Sequence, residues 1–87
     1  MPRITIYTSP FCSYCVRAKQ LLVGKNAAFE EVDVHMDNKQ RLEMMKRTNG
    51  ARTVPQIFIG ETHVGGCDEL YALERAGKLD ALLGKDA

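Results

Sequence analysis

Apolar and polar side chains alternate at the start of the chain. From Arg3 to Thr8, Ile4 and Ile6 are interleaved with Thr5 and Tyr7, the period of a half-buried strand. From Ser13 to about Val23 the period changes. Cys15, Ala18, Leu21 and Leu22 fall on one face of a helix, while Arg17, Lys19 and Gln20 fall elsewhere. Gly24-Lys25-Asn26 breaks that helix, and Phe29–Val34 reads as a second strand. Asp37, with Gln40 three residues later, resembles a capping box and predicts a helix running to about Thr48, ahead of Gly50. Two further strands, Gln56–Ile59 and Thr62–Gly65, flank Gly60-Glu61, a two-residue hairpin connection with glycine first. Gly65-Gly66 leads into a helix carrying Leu70 and Leu73 and stopped by Gly77. Leu79, Leu82 and Leu83 then predict a short last helix. Met44-Met45 and the leucines of the last helices read as core.

The order strand, helix, strand, helix, strand, strand, helix, helix predicts an α/β fold. A strand–helix–strand unit supplies two parallel strands and the hairpin adds antiparallel ones. The expected sheet is four-stranded and mixed, with helices on both faces. No linker, repeat or low-complexity stretch interrupts the 87 residues, so residues 1–87 are expected to form one domain. Twelve basic residues balance 11 acidic ones, and no basic stripe interleaves with aromatics, so no nucleic-acid partner is expected. No apolar run approaches the ~20 residues of a membrane span. Met1-Pro2-Arg3 runs directly into strand pattern without a signal-like apolar region. Three cysteines in this setting point to functional thiols in a reducing compartment, with the cytoplasm as the expected location.

Cys12-Ser13-Tyr14-Cys15 sits where the first strand gives way to the first helix. Two cysteines at this spacing can close a disulfide with each other. The unpaired N–H groups and partial positive charge of a helix N-terminus favour a thiolate at the first. Cys12 is the expected nucleophile and Cys15 the resolving thiol. A structural zinc site would need four ligands. Beyond this pair only Cys67, His35 and His63 are at hand, each isolated in sequence, so no metal is expected. His35 and His63 read as solvated surface residues. Pro55, just ahead of an apolar run, belongs at a strand's first position, and sequence alone favours a trans bond before it. Gly65-Gly66-Cys67-Asp68 reads equally as an anion-binding helix N-terminus or as a helix capped by Asp68. The Tyr14 ring either lines the site or packs on the helix surface.

Three blocks in order, Cys12-Ser13-Tyr14-Cys15, Thr53-Val54-Pro55 and Gly65-Gly66-Cys67-Asp68, give the chain a resemblance to the glutaredoxins. These are small glutathione-dependent members of the thioredoxin-fold superfamily, and the resemblance runs from about Arg3 to Leu83. Two departures stand out. Ser13 replaces the proline usual in the family's dithiol motif, and Ser9 stands where many members carry a lysine.

The resemblance implies a thioredoxin-like fold, a cis bond before Pro55, and a glutathione site. The Val54 backbone would pair with the glutathione peptide, with Thr53 stabilising the turn. The backbone at Gly66 and Cys67 would receive the γ-glutamyl carboxylate, Asp68 its ammonium, and Tyr14 would contribute a wall. Arg41, Arg47 and Arg52 are candidates for the glycyl carboxylate. The implied activity is thiol–disulfide exchange on protein–glutathione mixed disulfides and protein disulfides, with glutathione as co-substrate. Monomeric protein is expected. The alternative is a scaffold dimer bridged by a [2Fe–2S] cluster, each protomer giving Cys12 and one glutathione. A protein reduced by thioredoxin reductase and a purely structural role are further readings; the Gly66-Cys67-Asp68 block favours glutathione.

Overall fold

The computed structural model describes residues 2–84. Met1 and residues 85–87 of the expected 1–87 domain lie outside the described residues. The elements follow in the predicted order: β1 (Ile4–Thr8), α1 (Ser13–Gly24), β2 (Glu30–Asp33), α2 (Asn38–Arg47), β3 (Gln56–Ile59), β4 (Thr62–Gly65), α3 (Cys67–Arg75) and α4 (Leu79–Leu82). The strands form one mixed sheet in the order β2-β1-β3-β4. β1 runs parallel to β2 and antiparallel to β3, and β3 runs antiparallel to β4.

Strand periodicity divides the core between two faces. Ile4 and Ile6 of β1 and Ile57 and Ile59 of β3 point to one side. There they meet Ala18 and Leu22 of α1, Cys67 and Leu70 of α3, and Leu79 and Leu83. Tyr7 and Phe58 point to the other side and pack with Val34 and with Met44 of α2. Helices therefore cover both faces, as the sequence predicted. Every residue of β3 is buried, which suits a central strand covered on both sides.

Boundaries shift where the sheet ends. β2 is an edge strand whose only neighbour among the described residues is β1, and its ladder extends from Glu30 opposite Thr5 to Asp33 opposite Thr8. Phe29 and Val34 were predicted in this strand and lie just outside it; each is used instead for packing. α2 starts as predicted, with the Asp37 carboxylate accepting the Gln40 N–H at 3.0 Å. Met44 is fully buried, whereas Met45 is only half-buried.

The β1–β3 register places Tyr7 opposite Gln56. The chain leaving β1 towards Cys12 therefore runs beside the chain entering β3 through Thr53-Val54-Pro55. The end of β4 leads directly into α3 next to it. Three turns distant in sequence are thus gathered at one end of the sheet.

Candidate active site

Cys12 is the N-cap of α1. Its backbone is extended (φ −105°, ψ 105°), and its Sγ accepts the backbone N–H of Cys15 at 3.2 Å. A helix leaves its first N–H groups without internal partners, so the sulfur does the work of a capping oxygen. The preceding Phe11 has φ 60° and a fully exposed ring. Cys12 is partly exposed, while Cys15, one turn inside the helix, is 1% exposed. Burial pushes the Cys15 thiol up to about 12, with the hydrogen bond to Cys12 adding to the effect. The Ser9 backbone and the Lys19 charge pull the other way and are outweighed. Cys67 is also buried, and that burial raises its thiol pKa against the lowering effect of Arg17. All three cysteines are free thiols.

The Val54–Pro55 bond is cis, as the resemblance implied and against the expectation from sequence alone. The Val54 carbonyl oxygen lies 3.9 Å from Cys12 Sγ. Beyond it opens a cleft of about 320 Å³ lined by Tyr14, Thr53, Val54, Pro55, Gly66, Cys67 and Asp68 among others. At its far wall Gly66 is the N-cap of α3, and the Glu69 carboxylate accepts the Gly66 N–H at 2.7 Å. Gly65 has φ 114°, and a Cβ there would lie 2.8 Å from Glu69 Oε1. Only glycine accommodates both the conformation and the carboxylate. Asp68 does not cap the helix, contrary to one of the two sequence readings. It sits in the first turn with an exposed side chain.

The structure therefore brings Tyr14, Thr53, Val54, Pro55, Gly66, Cys67 and Asp68 to one cleft, with Cys12 at its edge. Cys12 and Cys15 together line a smaller hollow of 180 Å³ on the other side, with Lys19 and Glu31. The three candidate arginines do not line the main cleft. Arg41 donates to the Val34 carbonyl at 3.4 Å, and Arg47 donates to the Tyr7 hydroxyl at 2.7 Å.

His63 is exposed, as the sequence reading expected. Its ring also stacks on Phe58 with centroids 4.9 Å apart, and its Nε2 lies 2.7 Å from Gln56 Oε1. Gln56, Glu69 and His63 all line the cleft and were not singled out as site residues. Glu69 was legible as the acidic residue three beyond Gly66, the spacing of a capping pair. Gln56 and His63 meet across strands, which no local pattern announces.

An accessible thiol capping a helix, with a second thiol buried one turn behind it, can form and release a disulfide without rearranging the sheet. That arrangement on this mixed α/β sheet defines a thiol–disulfide oxidoreductase with a thioredoxin-like fold. Comparison with known proteins narrows the class. The glutaredoxin family model matches residues 4–64. A glutaredoxin of Pseudomonas aeruginosa is 58% identical over 83 residues, covering 95% of this chain and 98% of that one. The solution structure of a Brucella melitensis glutaredoxin superposes with a TM-score of 0.82 at 54% identity, covering 100% of this chain and 96% of the other. A buckwheat glutaredoxin crystallised with glutathione gives a TM-score of 0.85 at 29% identity, covering 95% of this chain and 77% of the other. The chain belongs to the glutaredoxin family.

The difference in burial predicts the order of thiol reactivity. Iodoacetamide applied to the reduced protein between about pH 7 and 9 is expected to alkylate Cys12 while sparing Cys15 and Cys67, both buried with raised pKa values. Peptide mapping checks this, and labelling of Cys15 as fast as that of Cys12 would contradict it. The same burial ties stability to pH. The folded Cys15 pKa of about 12 exceeds an unfolded value of about 8.5, so its contribution is full below that value and lost as pH rises towards 12.

Proposed function

We propose that this protein is a glutathione-dependent oxidoreductase acting in the cytoplasm as one domain spanning residues 1–87. Its substrates are protein–glutathione mixed disulfides and protein disulfides. The observation that carries this reading is the cleft itself. It joins the Val54 backbone beside Cys12 to the glycines and first turn of α3. The buckwheat relative bound to glutathione supports the same ligand here.

In this reading Cys12 is the nucleophile. The Cys15 N–H is donated to its Sγ, which fixes the sulfur at the end of α1 beside the Val54 carbonyl. The Val54 backbone pairs with glutathione as an added strand would. The N–H groups opening α3 receive the γ-glutamyl carboxylate, and Asp68 receives the ammonium. Tyr14 and Thr53 form the walls, and Gly66 and Cys67 contribute backbone. Arg52, next to the cleft residue Thr53, is the candidate left for the glycyl carboxylate, since Arg41 and Arg47 are engaged elsewhere.

Two routes follow. In the first, Cys12 thiolate attacks the glutathione sulfur of a mixed disulfide. The S–S bond breaks, the target protein leaves as a thiolate that takes a proton, and glutathione stays on Cys12. A second glutathione thiolate attacks that sulfur, releasing oxidised glutathione and regenerating Cys12. In the second route Cys12 attacks a protein disulfide and Cys15 resolves the intermediate. Cys15 enters as a thiol, so its proton must pass to the leaving thiolate as the Cys12–Cys15 bond forms. Two glutathiones then reduce that bond.

A cluster-bridged dimer is a second reading, favoured by one observation. Cys12 is the accessible thiol, while Cys15 and Cys67 are buried. One chain can therefore give a [2Fe–2S] cluster a single protein thiolate. Two chains and two glutathiones would complete the four sulfur ligands, and the bound cluster would supply electron storage. The N–H restored by Ser13, where proline would remove one, loosens the turn that holds Cys12. Anaerobic reconstitution with iron, sulfide and glutathione is expected to give a coloured dimer by visible absorbance and size exclusion. A colourless monomer would reject this reading.

A coupled assay with glutathione, glutathione reductase and a small glutathionylated disulfide tests the primary reading. Wild type is expected to turn over and Cys12→Ser to be inactive. Cys15→Ser should keep deglutathionylation while losing the dithiol reduction of protein disulfides. Substantial deglutathionylation by Cys12→Ser would remove Cys12 from its assigned role.

A further inference from the structure

Gln56 is a polar side chain with only 5% of its surface exposed, at the point where the cis loop enters β3. Burying an amide is costly unless its hydrogen bonds are made. Here they are. Its Nε2 donates to the Thr53 carbonyl at 3.0 Å and lies 3.2 Å from Thr53 Oγ1. The opposite amide orientation would face two oxygens with each other, so Oε1 must point away. It points to His63, whose Nε2 is 2.7 Å distant. Oε1 can only accept, so His63 Nε2 carries the proton and donates.

His63 is itself held in place. The β3–β4 register shifts by one residue, so Ile57 pairs with Gly65 while Phe58 pairs with His63. Such irregularities re-aim side chains beside functional sites. The His63 ring stacks on Phe58 at an interplanar angle of 22°. The Arg47 guanidinium also lies over the Phe58 ring, 4.0 Å from its centroid, and the Tyr7 ring meets Phe58 edge-on at 6.1 Å. A row of packed rings across β1, β3 and β4 thus orients one imidazole, that imidazole orients one amide, and the amide holds the carbonyl of Thr53. The next residue, Val54, faces Cys12.

We propose that Gln56 and His63 are positioning residues for the glutathione-binding backbone, setting the alignment of Val54 with the substrate through Thr53 without touching the reacting sulfurs. This rests on the glutathione reading above. The chemistry at Cys12 should be indifferent to the pair, while recognition of the glutathionyl group should depend on it.

Three variants separate alignment from general stability. His63→Phe keeps the stacking on Phe58 and removes the hydrogen bond. Gln56→Leu removes both of the amide's partners at similar volume. His63→Gln restores an N–H donor of comparable reach. In the coupled assay, His63→Phe and Gln56→Leu are expected to raise KM for a glutathionylated peptide about tenfold, the scale of one lost hydrogen bond, with kcat within about twofold. His63→Gln should return KM to near the wild-type value. Alkylation of Cys12 by iodoacetamide should match wild type in all three. Hydrogen–deuterium exchange over residues 53–56 should accelerate in the first two variants and not in the third. Unchanged KM and unchanged exchange in folded His63→Phe would overturn the proposal. So would a KM that His63→Gln fails to restore, or a loss falling equally on Cys12 alkylation. Absence of glutathione-linked turnover in the wild type would instead overturn the glutathione reading. The exchange rates of the variants would then decide the positioning of the loop by themselves.

Discussion

The buried face of α1 is the constraint on which the site depends. Cys15, Ala18 and Leu22 are nearly or wholly excluded from solvent, and Ala18 and Leu22 pack with the isoleucines of β1 and β3. Fully burying a leucine contributes roughly 1.5–3 kcal/mol. A helix cap contributes about 1 kcal/mol. Packing, more than the cap, therefore fixes where the helix lies, and the cap then falls where the helix begins. Cys15 lies one turn inside the helix against the core, while Cys12 caps its end, where the chain leaves the packed layer. The asymmetry between the two thiols follows from their positions along the packed helix.

That asymmetry has chemical consequences. Burial keeps Cys15 protonated, so its pKa of about 12 makes it a poor competitor for an incoming disulfide. Cys12 accepts an N–H from the start of the helix and faces the cleft across the Val54 carbonyl. The opposite wall is built with equal economy. Glu69 occupies the Gly66 N–H, and the absence of a side chain at Gly65 makes room for its carboxylate. The walls come from three loops, and each is attached to an element buried in the core.

What was legible in the sequence was local. The alternation at Ile4 and Ile6, the helical face of Cys15, Ala18 and Leu22, and the Gly60-Glu61 connection each announce their element within a residue or two. The edges of β2 were less legible because ladder length depends on the partner strand, and Phe29 and Val34 are apolar for packing and not for pairing. The chemical blocks were readable because cysteine, proline and glycine are constrained residue types. Gln56 and His63 were not, since each looks like an ordinary polar strand residue until β3 and β4 are paired. The placement of Arg47 was not legible for a related reason. Charge is visible in sequence, but the burial of Phe58 and Tyr7 decides where Arg47 goes, and that is over the rings.

In the mechanism we propose, the helix-capping sulfur, and not the buried one, takes the glutathionyl group. A single-turnover reaction decides between them: reduced Cys12→Ser and Cys15→Ser proteins, side by side, each receive one equivalent of a glutathionylated peptide and no added glutathione. Acid quenching and peptide mass spectrometry follow. Cys15→Ser protein is expected to carry one glutathione per chain, at Cys12, with the peptide released as its free thiol, while Cys12→Ser protein carries none. Equal glutathionylation of Cys15 in the Cys12→Ser protein, glutathione on Cys67, or the peptide itself disulfide-bonded to Cys12 with glutathione released, would contradict it.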